Sequence, residues 1–273
     1  MRGKLWAWLA IFLLATLWAG NVQAQRGERM PPSAGMPQPA GASQPAKAEQ
    51  LFALANSTRA QEGRGRLVWD QALADAALKH CLRMAAKGPI SHRYNGEADL
   101  TTRAAEAGAH FSLIEENIAV GAYPGSIHQG WLDSPGHRAN LLNPDIDRVG
   151  IAVVAAQGAL FAVADYARAV PVLTQSQVES HVAGLLRGHG VSVVRDTTDA
   201  RAACRLDKGL PPLAGAESPQ FVMRWQDANL DQLPSRLVEN MASGRYRRAA
   251  VGSCPARGAE DAFTVYRVAV LLY

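Results

Sequence analysis

Two amphipathic helices are predicted where regular patterning of apolar positions begins. The first starts at Lys47 and ends in a glycine-rich stretch. The second begins after Asp70, a good N-cap residue, and ends at Gly88. Its buried face repeats at helical spacing and comprises Leu73, Ala76, Ala77, His80, Cys81, Met84 and Ala85. We interpret His80 as a hydrogen-bonded core histidine and Cys81 as a small buried hydrophobe.

Shorter helices and a pair of strands follow. A third helix has Thr101 or Thr102 as its N-cap, and Ser134 with Pro135 marks the start of the last one. Gln157 and the glycine after it are typical of a hairpin turn between two strands. The segments concerned are helices ending at residues 107, 133 and 142 and strands at 149–155 and 160–167. Helices packed on a small sheet predict one α+β domain over residues 47–170.

The chain after Pro171 predicts a smaller α+β unit of its own, residues 171–273. Ser176 and Glu179 have the spacing of a capping box that starts a helix. The remaining segments are strands at 191–194 and 221–225, a helix at 234–242, and a terminal pair at 245–253 and 263–273. Its sequence holds no motif that indicates a chemistry, so the role of this unit stays open.

The N-terminus predicts export. Arg2 and Lys4 precede an apolar run, and small residues ending at Ala24 provide a cleavage site, so residues 1–24 are interpreted as a signal peptide. The run is shorter than the ~20 residues that a bilayer requires, which disfavours an uncleaved membrane anchor. Residues 25–46 are rich in Pro, Ala and Gly and predict a flexible linker. The expected location is the periplasm or the medium, with no membrane span after cleavage.

Charge argues against a nucleic-acid partner. The formal charge of +4 falls to +2 when the two positive charges of Arg2 and Lys4 are removed, and the sequence holds no concentrated basic stripe. The chain has three cysteines, which in an oxidising compartment leave one pair and one odd thiol. Cys204 and Cys254 are the preferred pair, because closing a loop of about 50 residues would stabilise the fold by roughly 4 kcal/mol.

Three polar residues from distant segments are the candidates for a site: His92, Glu116 and His137. His137 would be the third residue of its helix, where the positive end of the helix dipole disfavours the imidazolium form. Two neutral imidazoles and a carboxylate would supply three of the four ligands of a Zn²⁺ site, and Glu116 could alternatively act as a general base. The same residues could equally form a hydrogen-bonded network in which Glu116 orients one imidazole and no metal binds.

Several further motifs carry a family resemblance. In chain order they are Asn56-x-x-Arg59-x-x-x-Gly63, Leu67-Val-Trp69-Asp70, Ser91-His92, Glu116-Asn117-Ile118-Ala119, Trp131-Leu-Asp-Ser134-Pro-Gly-His137-Arg-Ala-Asn140-Leu-Leu and Val149-Gly-Ile-Ala-Val153. Together they resemble the bacterial type of the CAP superfamily, also called the SCP or sperm-coating-protein domain and the cysteine-rich secretory protein family. The resemblance covers residues 47–170.

The resemblance implies a secreted α-β-α sandwich with a central cleft that carries two histidines and two acidic residues. His92, His137 and Glu116 match three of these positions. The position of the second acid is occupied by Ser134, and Asp133 would point about 100° away from it on a helix. The sequence therefore departs from the family's four-residue pattern.

Three functions are compatible with these features. The favoured one is a secreted, non-catalytic binding module whose cleft holds a divalent metal, a lipid or sterol, or a peptide. One alternative is a Zn²⁺-dependent hydrolase that uses the same cleft. The other is a surface interaction protein that binds its partner through residues 171–273.

Overall fold

The computed structural model describes residues 41–214, 217–256 and 263–273. The predicted signal peptide and most of the predicted linker lie outside these ranges. The described residues form two sheets, each of which is covered by helices. No helix within the described ranges is both long and apolar enough to cross a membrane.

The first sheet is built around a long hairpin. Its strands are β1 (Ala42–Ser43), β2 (Val68–Trp69), β3 (Phe111–Gly121), β4 (Arg148–Ala156) and β5 (Ala159–Ala169). Its helices are α1 (Pro45–Gln61), α2 (Gln71–Lys87), α3 (Leu100–Glu106), α4 (Pro124–Asp133) and α5 (Pro135–Leu142). Gln157 and Gly158 connect β4 to β5, and both have positive φ angles, as a type I′ hairpin turn requires.

Both faces of this sheet are buried. The strand order is β1-β4-β5-β3, and β2 also pairs with β4. Alternate residues of β4 enter two different cores: Ile151 and Val153 pack on the side of α1, α4 and α5, whereas Ala152 and Val154 pack on the side of α2. The predicted α-β-α sandwich is therefore confirmed, with β3 at one edge of the sheet and β4, flanked by β1 and β2, at the other.

The domain begins earlier than the sequence indicated. β1 pairs with β4 through Ala42 and Ser43, and α1 starts at Pro45. The linker prediction is therefore wrong for residues 41–46. Composition did not reveal this short strand, because two residues that gain hydrogen-bond partners on a neighbouring strand need no apolar pattern of their own.

Two helix starts also differ from the prediction. Asp99 caps α3, where its carboxylate accepts a hydrogen bond from the backbone N–H of Thr102 at 2.9 Å. In the second unit the N-cap is Thr174, which forms a capping box with Gln177. The sequence predicted Glu179 as one of the two capping-box residues. It is buried instead and accepts two hydrogen bonds from the guanidinium of Arg201.

The second unit has its own four-stranded sheet in the order β6-β8-β9-β7. Its elements are α6 (Gln175–Gly188), β6 (Ser192–Val193), α7 (Thr198–Cys204), β7 (Phe221–Asp227), α8 (Ser235–Ala242), β8 (Arg248–Cys254) and β9 (Tyr266–Leu272). α6 and α8 cover one face and α7 the other. A disulfide between Cys204 and Cys254 joins the end of α7 to the end of β8. Cys81, on the buried face of α2, is free, and burial raises the pKa of its thiol to about 12.

Each sheet contains one glycine over which a helix lies at close range. A Cβ atom on Gly150 would lie 2.0 Å from the backbone nitrogen of Ala74 in α2, and one on Gly252 would lie 2.1 Å from the backbone nitrogen of Arg201 in α7. The obstacle at both positions is helix backbone, which cannot move aside as a flexible side chain could. These glycines therefore set how closely α2 and α7 approach their sheets.

We expect the Gly150→Ala variant to lose about 3 kcal/mol or more of unfolding free energy, because the added methyl group forces α2 away from β4. Urea denaturation followed by circular dichroism measures the effect. Gly130→Ala is the matched control: no atom lies within 4 Å of its added Cβ, and alanine favours the helix that contains it. Equal stability of Gly150→Ala and wild type would contradict this account of the packing.

Candidate functional site

His92 and Glu116 are in direct contact at the β3 edge of the first sheet. His92 lies in the loop between α2 and α3, and Glu116 lies in the middle of β3. Nδ1 of His92 is 2.8 Å from Oε1 of Glu116. The histidine side chain is 58% exposed, whereas that of Glu116 is 3% exposed. Because an ionised carboxylate can only accept, Nδ1 carries the hydrogen and Nε2 is the nitrogen of His92 that remains open to a ligand.

The other oxygen of Glu116 is held by a buried arginine. Nη2 of Arg103, from α3, donates to Oε2 of Glu116 at 2.5 Å, and Nη1 of Arg103 donates to the carbonyl oxygen of His92 at 3.3 Å. Arg103 therefore fixes both the carboxylate and the backbone of the loop that carries His92. The hydrogen bond to Glu116 raises the pKa of His92 above its ordinary value, against a smaller opposite effect of burial.

A second buried acid, Asp165, lies directly opposite Glu116 in the pairing of β3 with β5. It is fully buried, and neither of its carboxyl oxygens accepts a hydrogen bond from a donor among the described residues. Burial, and then the negative charge of Glu116, raise the pKa of Asp165 well above its usual range. In its protonated form Asp165 can donate to the Glu116 carboxylate. Asp165 does not stand at the position of the missing second acid of the sequence motif, but it lies beside Glu116 on the neighbouring strand.

His80 also lies near Glu116 but is bonded elsewhere. Its Nδ1 is 2.9 Å from Oε1 of Glu97, and its Nε2 is 2.9 Å from the carbonyl oxygen of Ser91. Its ring is fully buried, on the face of α2 that packs against the sheet. Both nitrogens are therefore used in holding the loop that leads to His92, in agreement with its interpretation as a hydrogen-bonded core residue.

His137 approaches the same edge from the opposite layer, as the third residue of α5. The centroids of the His92 and His137 rings are 6.4 Å apart. Asn117 of β3 donates to the carbonyl oxygen of His137 at 2.9 Å, and Asn140 of α5 donates to the side-chain oxygen of Asn117 at 3.1 Å. These bonds anchor α5 against β3. Burial, and then the positive charge of His92, lower the pKa of His137 below its ordinary value.

The three predicted residues therefore gather at one edge, but in unequal roles. Glu116 contacts His92, and His92 faces His137. Within residues 41–214, 217–256 and 263–273, no group of three or more His, Cys, Asp or Glu side chains has the arrangement of a metal site. Asp133 is exposed and accepts a hydrogen bond from Gln129 of its own helix. The assignment of His92, Glu116 and His137 as metal ligands stays a prediction.

Comparison with known proteins shows a similarity over one part of the chain. Residues 52–166 match the model of the cysteine-rich secretory protein family, CAP. This part of the chain is therefore similar to the CAP family. Two curated relatives from Bacillus subtilis are similar to it: the uncharacterized membrane protein YlbC, 33% identical over 129 residues, and the uncharacterized protein YkwD, 28% identical over 110 residues. The matches cover 47% and 39% of this chain but only 37% and 42% of the two relatives, so the chain spans about two fifths of their length.

Two solved structures match a similar share of the chain. An extracellular protein with an SCP domain from Bacillus anthracis is 32% identical, with a TM-score of 0.42 over 46% of this chain and 41% of that one. An outer surface protein from Borrelia burgdorferi is 20% identical, with a TM-score of 0.44 over 47% of this chain and 98% of that one. The matched family model itself covers less than half of the chain, and residues 171–273 lie outside it.

Sequence reasoning missed two residues of the candidate site, Arg103 and Asp165. Arg103 lies within a short helix where an arginine is normally exposed, so its position gave no signal. Asp165 did give one: it is the single charged residue in the otherwise apolar strand segment 160–167. A carboxylate in a strand that is buried on both faces requires either a partner or a proton.

We expect the imidazole of His92 to titrate above the ordinary histidine value of about 6.5 and that of His137 below it, as measured by NMR of the ring signals. In Glu116→Gln the anionic acceptor is lost, so the midpoint of His92 should fall towards or below the ordinary value. Glu115→Gln is the control, because Glu115 points to the other face of β3, where it accepts from Asn143. An unchanged His92 midpoint in Glu116→Gln would refute the assigned contact.

Proposed function

We propose that this chain is an exported binding protein whose CAP cleft holds a ligand between His92 and His137 without turning it over. The observation that carries the proposal is the position of Glu116. Its carboxylate is almost fully buried, and its two oxygens accept hydrogen bonds from His92 and Arg103. Glu116 is therefore suited to orient His92, as carboxylates behind metal-binding histidines do, rather than to contact a ligand itself.

A divalent cation such as Zn²⁺ is the ligand that two open imidazoles suit best. Zn–N bonds of about 2.0–2.1 Å in tetrahedral geometry would place two ring centroids about 5 Å apart. The observed 6.4 Å exceeds this, so the rings fit one cation after a closure of about 1 Å. Other coordination positions would stay open to an oxygen of a peptide or of a lipid headgroup, and the neighbouring cleft could hold a small hydrophobic ligand.

The hydrolase alternative is less well supported by the same residues. A metal-dependent hydrolase needs a general base that reaches the attacking water. Glu116 was the candidate base, but in its buried position both oxygens already accept hydrogen bonds. Ser134 occupies the position at which the family pattern has a second acid, and Asp133 bonds within its own helix. These features favour binding over catalysis.

Export is supported by the N-terminal sequence. Arg2 and Lys4, the apolar run and the small residues before Ala24 have the order of a signal peptide. Binding in the periplasm or the medium would suit a cleft whose histidine is exposed to solvent. Periplasm and medium are both oxidising, as the disulfide between Cys204 and Cys254 requires.

We expect isothermal titration of Zn²⁺ into the metal-stripped chain, residues 25–273 at pH 7.5, to show one binding event that disappears in the His92→Ala, His137→Ala double variant. Glu116→Gln should retain the site with an affinity lower by about 10- to 100-fold, because it disturbs the orientation of a ligand and not a ligand itself. His181→Ala, which alters a histidine of the second unit, is the control and should bind as wild type.

Two outcomes would contradict the proposal. Zn²⁺ binding that survives in the double histidine variant would place the metal elsewhere in the chain. Complete loss of binding in Glu116→Gln, with the fold intact by circular dichroism, would mean that Glu116 is itself a ligand, and the role assigned to its hydrogen bonds would be wrong.

A further inference from the structure

A cavity lies at the opposite edge of the CAP sheet from the His92 cleft. Its volume is about 430 Å³, within the range of small-molecule sites; it is open to solvent on one side and lined mainly by α1, α2 and β4. The apolar part of its lining consists mainly of Ala48, Phe52, Trp69, Leu78, Ile151 and Val153. The rings of Phe52 and Trp69 meet edge to face, with centroids 5.6 Å apart. This cavity can therefore bury a small apolar body against two aromatic rings.

β4, which forms one wall of the cavity, is only partly paired along its outer edge. β2 pairs with β4 as far as Val149, and β1 pairs with it only from Val154 onward. The carbonyl oxygens of Val149 and Val153 accept hydrogen bonds from Asp70 and Gln44, the residues beside those short strands. Ile151 lies midway between them, so by the two-residue period of a strand its N–H and C=O face the same edge. Neither short strand pairs with Ile151, which leaves a hydrogen-bonding position beside the cavity.

The charged groups of the lining are both acidic. Glu49 and Asp75 line the cavity, and no lysine, arginine or histidine does. Asp75 is held in place: Nε2 of Gln71 donates to its Oδ1 at 2.8 Å, and Oε1 of Gln71 accepts from the indole N–H of Trp69 at 3.3 Å. Glu49 is exposed and has no hydrogen-bond or ion-pair partner among the described residues. Two carboxylates at the rim of an apolar cavity complement a positive charge.

One cation already lies beside these rings. The guanidinium carbon of Arg66 is 5.8 Å from the centroid of the Phe52 ring. Arg66 is not among the residues that line the cavity, so it does not fill the interior. Its position over Phe52 is one in which an aromatic ring attracts a cation. Aromatic faces and carboxylates attract the same class of ligand, and both are present here.

We propose that this cavity binds a small organic ammonium ion with an apolar body. The positive head would lie near Glu49 and Asp75, where a primary ammonium could also donate to the open carbonyl oxygen of Ile151, and the apolar body would lie against Phe52 and Trp69. The site is separate from the histidine cleft, because β4 and β3 lie on opposite sides of β5. It neither uses His92 and His137 nor depends on metal binding there.

The test is a titration of the full chain with 2-phenylethylammonium, followed by ligand-observed NMR, beside its neutral analogue 2-phenylethanol. We expect the ammonium ion to bind about tenfold more tightly than the alcohol, a difference of about 1.4 kcal/mol. In the double variant Glu49→Gln, Asp75→Asn this preference should be lost, while binding of the alcohol stays the same. Both replaced side chains are exposed, so the fold should be preserved.

Asp133→Asn is the matched control. Asp133 accepts a hydrogen bond from Gln129 four residues earlier, as Asp75 does from Gln71, but it lies outside the cavity. This variant should bind the ammonium ion as wild type does. Equal affinity for the ammonium ion and the alcohol in wild type, or an ammonium affinity unchanged in the double variant, would overturn the proposal.

Discussion

The arrangement of side chains at the β3 edge depends on one buried negative charge. Glu116 is enclosed between β3, α2 and α3, where an unpaired carboxylate would be strongly destabilising. It is tolerated because Arg103 supplies a full positive charge, His92 supplies a second donor, and Asp165 can supply a proton from the neighbouring strand. Removal of Arg103 would leave the buried carboxylate without its full counter-charge. The cleft is therefore fixed by electrostatic pairing and not by apolar packing alone.

The two-residue period of β3 explains why the candidate site, His92, Glu116 and His137, draws on both helical layers of the sandwich. Glu116 points to the layer of α2 and α3, whereas its neighbours Glu115 and Asn117 point to the layer of α5. Because β3 is the edge strand, the two layers meet around it with no further strand between them. A histidine held from each layer can then face the other across the edge. A central strand would have kept these two side chains on separate surfaces.

The sequence predicted the elements whose pattern is locally complete. α2 and the β4–β5 hairpin were found because each carries its own period and its own end signals. β3 was missed as a strand, because Glu115, Glu116 and Asn117 interrupt the apolar alternation with three consecutive polar residues. The roles of the site residues also could not be inferred from local sequence patterns. Whether Glu116 is a ligand or an orienting residue depends on Arg103, 13 residues away, and on Asp165, on another strand.

In the proposed function, a proton and a divalent cation would compete for Nε2 of His92. The hydrogen bond from Nδ1 to Glu116 makes the ring more basic, which is why the pKa of His92 is raised. The same basicity strengthens Nε2 as a metal ligand, so a proton and a divalent cation compete for one atom. His137 has the opposite balance, because burial and then the charge of His92 lower the pKa of its ring. The pair thus combines one imidazole made more basic by Glu116 with one made less basic by burial. In the proposed function, a cation could therefore bind at Nε2 only after His92 has lost its second proton.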